Sequence, residues 1–417
     1  MQAPRSVPSH QAGVPTKPAP APCRTKGKLP LCTHVRRLLS VLCLTALSLT
    51  FTGPAAAVSL DEQLKFLLEN GCANLGGTIT GNLAAYCAGA GGSGTSAGGG
   101  ASTPQTAPGI VQERLKEAGG ETGSETGVVT ELAPGLSLLL STEYEKLDRD
   151  VTRFEAGYDS DILRFTAGVD YQFSDSFLAG LAFTYYQHDG DLASGGDFEN
   201  NSYGLLGFAA FYPTETVFIQ ATLGYADKDY ERNRTAFFEM GGKEAGPGPA
   251  KASYDGSEYS GGILIGSDHR AGELSFGPRL SLDWVYSDFD GYSEQGNTGL
   301  ELVFADTSEF SLQSRLGMVT SMAISTGFGV LVPQLNADWV HELENDQRTE
   351  NFSFVDDSDR VNYQFEDQPP DRDFFEVGAG ISTILPNGWQ LFAQYRTLLG
   401  HDYLDSHVGT LGLRFEF

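Results

Sequence analysis

The chain has 417 residues, with 54 acidic side chains against 27 basic ones and a formal charge of −27. Such a surface repels nucleic acid and anionic leaflets, which argues against a nucleic-acid partner. Mean hydropathy is −0.21, and apart from one interrupted stretch near the N-terminus no apolar run reaches the ~18 residues that a spanning helix needs; a barrel of half-polar strands stays open.

Residues 1–57 read as a presequence and secretory signal. His34-Val35-Arg36-Arg37 supplies the charge, Leu38 to Phe51 the apolar stretch, and Pro54-Ala55-Ala56-Ala57 the small residues where cleavage is expected. Cys23, Cys32 and Cys43 fall in the part removed. Cys72 and Cys87 are left as one pair in an exported chain, which predicts a disulfide. Residues 58–87, with Leu60, Leu64, Leu67 and Leu68 at helical spacing, form a small disulfide-linked segment. Residues 88–108 are Gly, Ala, Ser and Thr with Pro, a linker that cannot bury a core. Residues 109–135 hold one candidate short helix, from Gly109 to Ala118, and a lead-in after the Gly119-Gly120 break.

From residue 136 the period changes to two. Leu163, Phe165, Ala167, Val169, Tyr171 and Phe173 alternate with Arg164, Thr166, Gly168, Asp170 and Gln172, and the same pattern recurs to the end of the chain. The runs number about twelve: 136–146, 162–173, 177–188, 202–212, 217–227, 258–268, 274–288, 309–325, 330–342, 374–384, 389–399 and 408–417. Many reach or exceed the ~9–11 residues that cross a bilayer at a tilt, whereas ordinary strands average ~5–6. Aromatic residues concentrate toward run ends, where interfacial girdles would lie. Short connections such as Ser174-Asp175-Ser176 and Leu385 to Gly388 alternate with long polar ones at 147–161, 189–201, 228–257, 289–308, 343–373 and 400–407. A bacterial membrane barrel has that asymmetry, with its short turns in the periplasm; a soluble sandwich has no cause for it.

The charges fit a barrel interior. Arg164, Arg279, Arg315, Arg396 and Arg414 all lie on the polar face of their runs, where an outward Arg at mid-membrane would cost roughly 2–4 kcal/mol. Asp170, Asp283, Asp338, Glu376 and Glu416 share that register and are expected as their lumen partners.

The stretch 157–181 (GYDSDILRFTAGVDYQFSDSFLAGL), the phrases LQSRLGMVTS, GVLVPQL and NADWVHEL within 291–343, and the closing LGLRFEF resemble the autotransporter C-terminal β-barrel domain over some two thirds of the chain. The resemblance implies a twelve-stranded outer-membrane barrel, residues 136–417, with a helix threading its lumen just before the first strand. It also implies that a terminal Phe, here Phe417, is recognised by the barrel-assembly machinery. Family members usually carry a passenger of several hundred residues; here about 80 separate Ala57 from the barrel, with neither solenoid repeats nor a GDS lipase block among them.

Catalytic chemistry is not expected. His188, His269, His341 and His401 adjoin Asp189, Asp268, Glu342 and Asp402 in sequence, and neighbours on a strand point to opposite faces. His407 likewise reads as a rim histidine. No cofactor is expected, and no metal either: His and Cys do not cluster, and the acidic loop 343–373 lacks EF-hand spacing. The chain is therefore expected to be an all-β transmembrane antiparallel barrel in the bacterial outer membrane. Its expected role is as a monomeric anchor and translocator for the N-terminal segment and exposed loops, among outer-membrane lipid and lipopolysaccharide. A small-solute pore and a loop-mediated adhesin are the alternatives.

Overall fold

In the computed structural model of the chain the described residues are 135–152, 157–240, 243–344, 349–386 and 388–416. The presequence, the Cys72 and Cys87 pairing, the linker, the candidate helix and Phe417 lie outside them. All regular elements among the described residues are strands. The barrel wall begins with β1 (Leu136–Arg149), β2 (Tyr158–Ser174), β3 (Phe177–Leu192), β4 (Gly196–Phe211), β5 (Val217–Met240) and β6 (Lys243–Ser267). A short β7 (His269–Ala271) leads into β8 (Leu274–Phe289); β9 (Tyr292–Ser293) and β10 (Leu302–Phe304) precede β11 (Thr307–Met322). Then come β12 (Ile324–Ser325), β13 (Val330–Glu342), β14 (Thr349–Phe354), β15 (Tyr363–Glu366), β16 (Asp373–Ile384), β17 (Trp389–Leu399) and β18 (Leu404–Glu416).

Twelve of these pair in the ring β1-β2-β3-β4-β5-β6-β8-β11-β13-β16-β17-β18, which the antiparallel β1–β18 ladder from Ser137↔Glu416 to Arg149↔Leu404 closes. Closure leaves no open edge in the membrane, where an unpaired backbone group costs several kcal/mol. Glycines serve the tight turns: Gly195 (φ +93°) and Gly196 (φ +112°), the first residue of β4, where β3 turns into β4, and Gly388 (φ +77°) between β16 and β17, take a left-handed backbone that L side chains resist.

Alternation becomes an inside and an outside. On β2, Leu163, Phe165, Val169, Tyr171 and Phe173 are exposed, while Arg164, Thr166 and Asp170 are buried toward the lumen. The other strands repeat this, with Leu181, Leu205, Leu223, Ile263, Leu280, Leu316, Leu335, Leu391 and Leu411 all facing outward. A contiguous apolar wall of this size is a surface for lipid. From Leu163 to Phe173, at about 3.3 Å per residue and a tilt of about 40°, the band is roughly 25 Å tall.

One expectation fails. Residues 189–201 and 228–257 are not long polar loops: β3 and β4 run on to a turn at 193–195, and β5 and β6 continue to Met240 and from Lys243, paired almost throughout. Above the lipid the outward face of these strands meets water instead, so the apolar signature stops while the hydrogen-bonded ladder continues. The connections β8–β11 and β13–β16 are not bare loops either; they pair into a separate four-stranded sheet, β15-β14-β10-β9.

Candidate functional site

The lumen wall, its outer rim and the lipid-facing girdle are where the barrel's function must lie. The girdle at the outer interface includes a tyrosine or tryptophan on each of eight strands: Tyr144, Tyr185, Tyr203, Tyr225, Tyr259, Tyr286, Trp339 and Tyr395. All face outward, Tyr185 half-buried and the rest exposed. Several point their polar tips away from the lipid. Tyr144 donates to Asp161, Tyr185 to Asn201 at 3.0 Å, Tyr225 to Asp227 at 2.6 Å, and the Trp339 ring N–H to Asp373 at 3.0 Å. Just beyond them the outer face turns acidic. Asp405, Asp148, Asp159, Asp191 and Asp197 stand opposite one another across β18, β1, β2, β3 and β4. Directly opposed like charges repel, so this row belongs in water. There, burial and a hydrogen bond with Asp159 lift the Asp148 carboxyl above its usual range.

Inside, the charged residues converge on one side. Glu143 on β1 is 2 % exposed and is the hub: it pairs with Arg164 of β2 and, at 2.8 Å, with Arg396 of β17, and accepts from Thr410 at 3.2 Å. Arg396 reaches Glu376 of β16 at 3.4 Å, Glu376 meets Arg315 of β11 at 3.3 Å, and Arg315 lies 3.7 Å from Asp283 of β8. Three arginines and three carboxylates thus form one chain of contacts across half the ring, with no net charge. Nearer the short-turn rim Arg414 binds Asp170 at 3.1 Å and the Ser137 hydroxyl at 2.9 Å. Arg279 binds Asp268 at 2.6 Å with its guanidinium 4.4 Å from the Phe218 ring centre.

The structure therefore brings Arg164, Arg315, Arg396, Asp283 and Glu376 together and pairs Arg414 with Asp170. Asp338 shares the face, opposite Glu376 in register, where Asn336 donates to it at 3.4 Å. Glu143 and Asp268 were not among the expected partners. Tyr144 facing lipid would have placed Glu143 inward by parity, but Leu139 and Leu147, which also face inward, blur the alternation of β1. The opposite wall, β3 to β6, is less charged. Gly204, Gly224, Thr184, Ser202 and Ser260 line a cavity there together with Arg164 and the Lys228–Glu258 pair.

The histidines scatter. His188 is buried among Tyr158, Tyr186 and Phe198 rings. His407 meets the Tyr395 hydroxyl at 2.7 Å, and His269 lies 3.1 Å from the Ser267 hydroxyl on the short-turn rim. His341 pairs with Asp373 at 2.8 Å, a cross-strand partner that looking only along the sequence misses. No group of three potential metal ligands occurs among the described residues.

Comparison with known proteins adds the family and one correction. The family model for the autotransporter beta-domain matches residues 138–396. The translocator domain of the autotransporter NalP from Neisseria meningitidis is similar in fold, with a TM-score of 0.55 at 16% identity over 75% of this chain and 96% of that one. The β-domain of the Bordetella autotransporter BrkA gives 0.51 at 17% identity, over 68% and 100%. Two curated relatives named Esterase EstA, from Pseudomonas aeruginosa and Pseudomonas putida, are 25% identical over 280 residues, which is 66% of this chain and 41% of each of theirs. The chain thus spans well under half the length of these relatives. Their name overturns the expectation that the chain is not an enzyme, which rested on the barrel's histidines, the lack of a GDS lipase block and the lack of clustered metal ligands. It also draws attention to Gly94-Thr95-Ser96-Ala97-Gly98. That pentapeptide has the spacing of a nucleophile elbow, whose chemistry requires a strand before it and a helix after it; it lies in the linker, outside the described residues.

Proposed function

This chain belongs to the autotransporter β-domain family, and from that premise we propose that its barrel carries the residues ahead of β1 to the cell surface and holds them there. The barrel is an outer-membrane translocator and anchor, and insertion by the barrel-assembly machinery goes with the family. The observation that carries the proposal is the closed ring: β1 starts at Leu136 on the short-turn rim, beside the end of β18, so the preceding chain meets the barrel at the periplasmic mouth of a polar lumen whose central arginines are paired with carboxylates. Outer-membrane lipid and lipopolysaccharide surround the girdle, and the barrel works as a monomer.

The test is protease treatment of intact cells with antibodies against residues 58–108. Cleavage without lysis is the expected result; cleavage only after the outer membrane is broken would contradict surface display. A second reading, favoured by the names of the curated relatives, is that the anchored polypeptide bears an esterase. Cells producing the 417-residue chain are then expected to hydrolyse a short-chain p-nitrophenyl ester faster than cells carrying an empty vector, and equal rates would sink that reading.

A further inference from the structure

The four-stranded sheet β15-β14-β10-β9 sits on the lumen side of the projecting β5–β6 hairpin. Parity establishes this. On β5, Leu223 and Tyr225 face outward and Gln220, Thr222 and Lys228 face inward, so Tyr230, Arg232 and Arg234 face inward too. On β6, outward Tyr259 and Ile263 put Tyr254 on the inner side. These inward side chains are the ones that hold the sheet.

Arg234 is 4 % exposed and forms a two-pronged pair with Glu294, both nitrogen–oxygen distances 2.6 Å, while also donating to the Leu300 carbonyl at 2.7 Å. Glu294, 3 % exposed, accepts in addition from the Leu302 N–H at 2.8 Å. One ion pair therefore ties the barrel wall to both ends of the β9–β10 connection. Beside it runs a file of rings: Tyr230 on Tyr254 at 4.9 Å, Tyr254 on Tyr292 at 4.2 Å, and Tyr292 on Phe304 at 4.7 Å. The file ends in the buried core of the sheet, Leu302, Phe352 and Phe354. Lys251 and Gln295 exchange backbone hydrogen bonds at 2.9 and 2.7 Å, joining sheet and hairpin a third time. Toward β18 the segment that leads from β15 to β16 is fastened as well: Asp371 lies 3.7 Å from His401, accepts from the Asp402 N–H at 2.7 Å, and donates its own N–H to the Tyr403 hydroxyl. Below this side of the rim an apolar cluster, Leu147, Tyr158, Ile162, Leu192 and Leu404, narrows the lumen from within.

We propose that this sheet is a cap closing the outer mouth of the barrel, with the Arg234–Glu294 pair as its latch. Passage through the lumen, in either direction, requires the latch to open. A buried two-pronged pair suits the task. It holds firmly while both partners are present, and loss of either leaves a buried charge unmatched. The inference needs only a barrel set in the outer membrane and is independent of what is displayed.

Asn200 reports on it. It is 2 % exposed, faces the lumen, and stands opposite Tyr230, at the foot of the ring file. Asn200→Cys is made in the full chain, and intact cells are treated with a bulky, membrane-impermeant maleimide; labelling is counted above that of the chain without the added cysteine. Glu199→Cys, on the exposed outer face, is the control for a surface-oriented rim and should react quickly throughout. With the latch intact, the thiol introduced by Asn200→Cys should react at least about tenfold more slowly than in Arg234→Met or Glu294→Gln backgrounds, since either change leaves a buried charge without its partner. The double exchange Arg234→Glu with Glu294→Arg should restore slow reaction, and heat-modifiable gel mobility identifies variants that have not folded. Equal rates with and without the latch, in folded barrels whose Glu199→Cys control reacts, would overturn the proposal. A control that fails to react would contradict the surface orientation instead.

Discussion

β4 and β5 pass through two environments, and the contrast between them explains most of the molecule. Below Tyr203 and Tyr225 their outward residues include Leu205, Phe211, Ile219 and Leu223, exposed to lipid. The inward ones run from Leu206 and Phe208, packed against Leu178 and Ala182, to the polar Ser202, Gln220 and Thr222. Above that level the outward residues are Asp197, Glu199, Asp227, Asp229 and Glu231, yet the ladder continues from Tyr203↔Asp227 to Gly196↔Arg234. The lower part is stable because lipid accepts apolar side chains and the ring leaves no backbone group unpaired. The upper part stands in water and relies on side-chain anchors, the Arg234–Glu294 pair and the ring file. Alternation of apolar residues therefore reports which solvent a strand meets, whereas strand pairing itself needs only compatible backbones.

The largest expected effect lies inside the lower part. Glu143→Ala leaves Arg164 and Arg396 facing each other in the lumen without their shared carboxylate and should cost about 3–5 kcal/mol, measured as a lower urea midpoint for the heat-modifiable gel shift. Next comes the lipid face. Leu181→Arg, at 66 % exposure, should cost roughly 2–4 kcal/mol near the bilayer midplane, while Asp191→Arg on the same strand above the girdle should be close to neutral. Equal costs at the two positions would erase the boundary drawn here.

These predictions depend on features that were unequally legible in the sequence. The twelve runs were readable because lipid enforces a strict alternation such as Leu163 to Phe173. The placement of all five arginines on the inner face followed from the same constraint. The hub Glu143 was not readable because β1 also turns Leu139 and Leu147 inward, so its two faces resemble each other in composition. The upper halves of β5 and β6 read as loop, since Lys228 to Gly256 carries polar side chains on both faces and two prolines. The cap was hidden for a related reason: its core residues Leu302, Phe304, Phe352, Phe354 and Tyr363 come from two distant, otherwise acidic connections and form a pattern only once paired.

The prolines lead to a smaller effect. On β6 the odd-numbered residues direct their backbone groups away from β5, as the Lys251–Gln295 exchange shows. Pro249 therefore offers no N–H donor on that side of the hairpin, and Pro247 offers none at the register shift between Ala245 and Gly248. Replacing both with Thr should leave the barrel's unfolding midpoint nearly unchanged but cause concentration-dependent dimers on native gels. An unchanged monomer would assign the protection to something else.

The smallest effect concerns pH. Burial lowers the pKa of His401, with Asp371 opposing the shift and Arg149 adding to it. The unfolded chain then binds the proton more readily than the folded one, so this contribution to stability is full above the ordinary imidazole value of about 6.5 and declines as pH falls below it. Lower amide protection factors at 400–403 on acidification, after correction for the intrinsic exchange rate, and no such loss in His401→Asn, are the expected result.

The boundary itself can be measured along one strand. Nitroxide labels placed one at a time at positions 219, 221, 223, 225, 227, 229 and 231 of β5, in the folded chain in lipid, can be scanned for collisions with oxygen and with a water-soluble nickel complex. The account predicts oxygen-dominated collisions up to Tyr225 and nickel-dominated collisions from Asp227, with uniformly low mobility throughout because the strand is paired on both sides. A nickel-accessible profile along the whole strand, or a jump in mobility at 227, would contradict a lipid-facing barrel whose wall continues above the membrane.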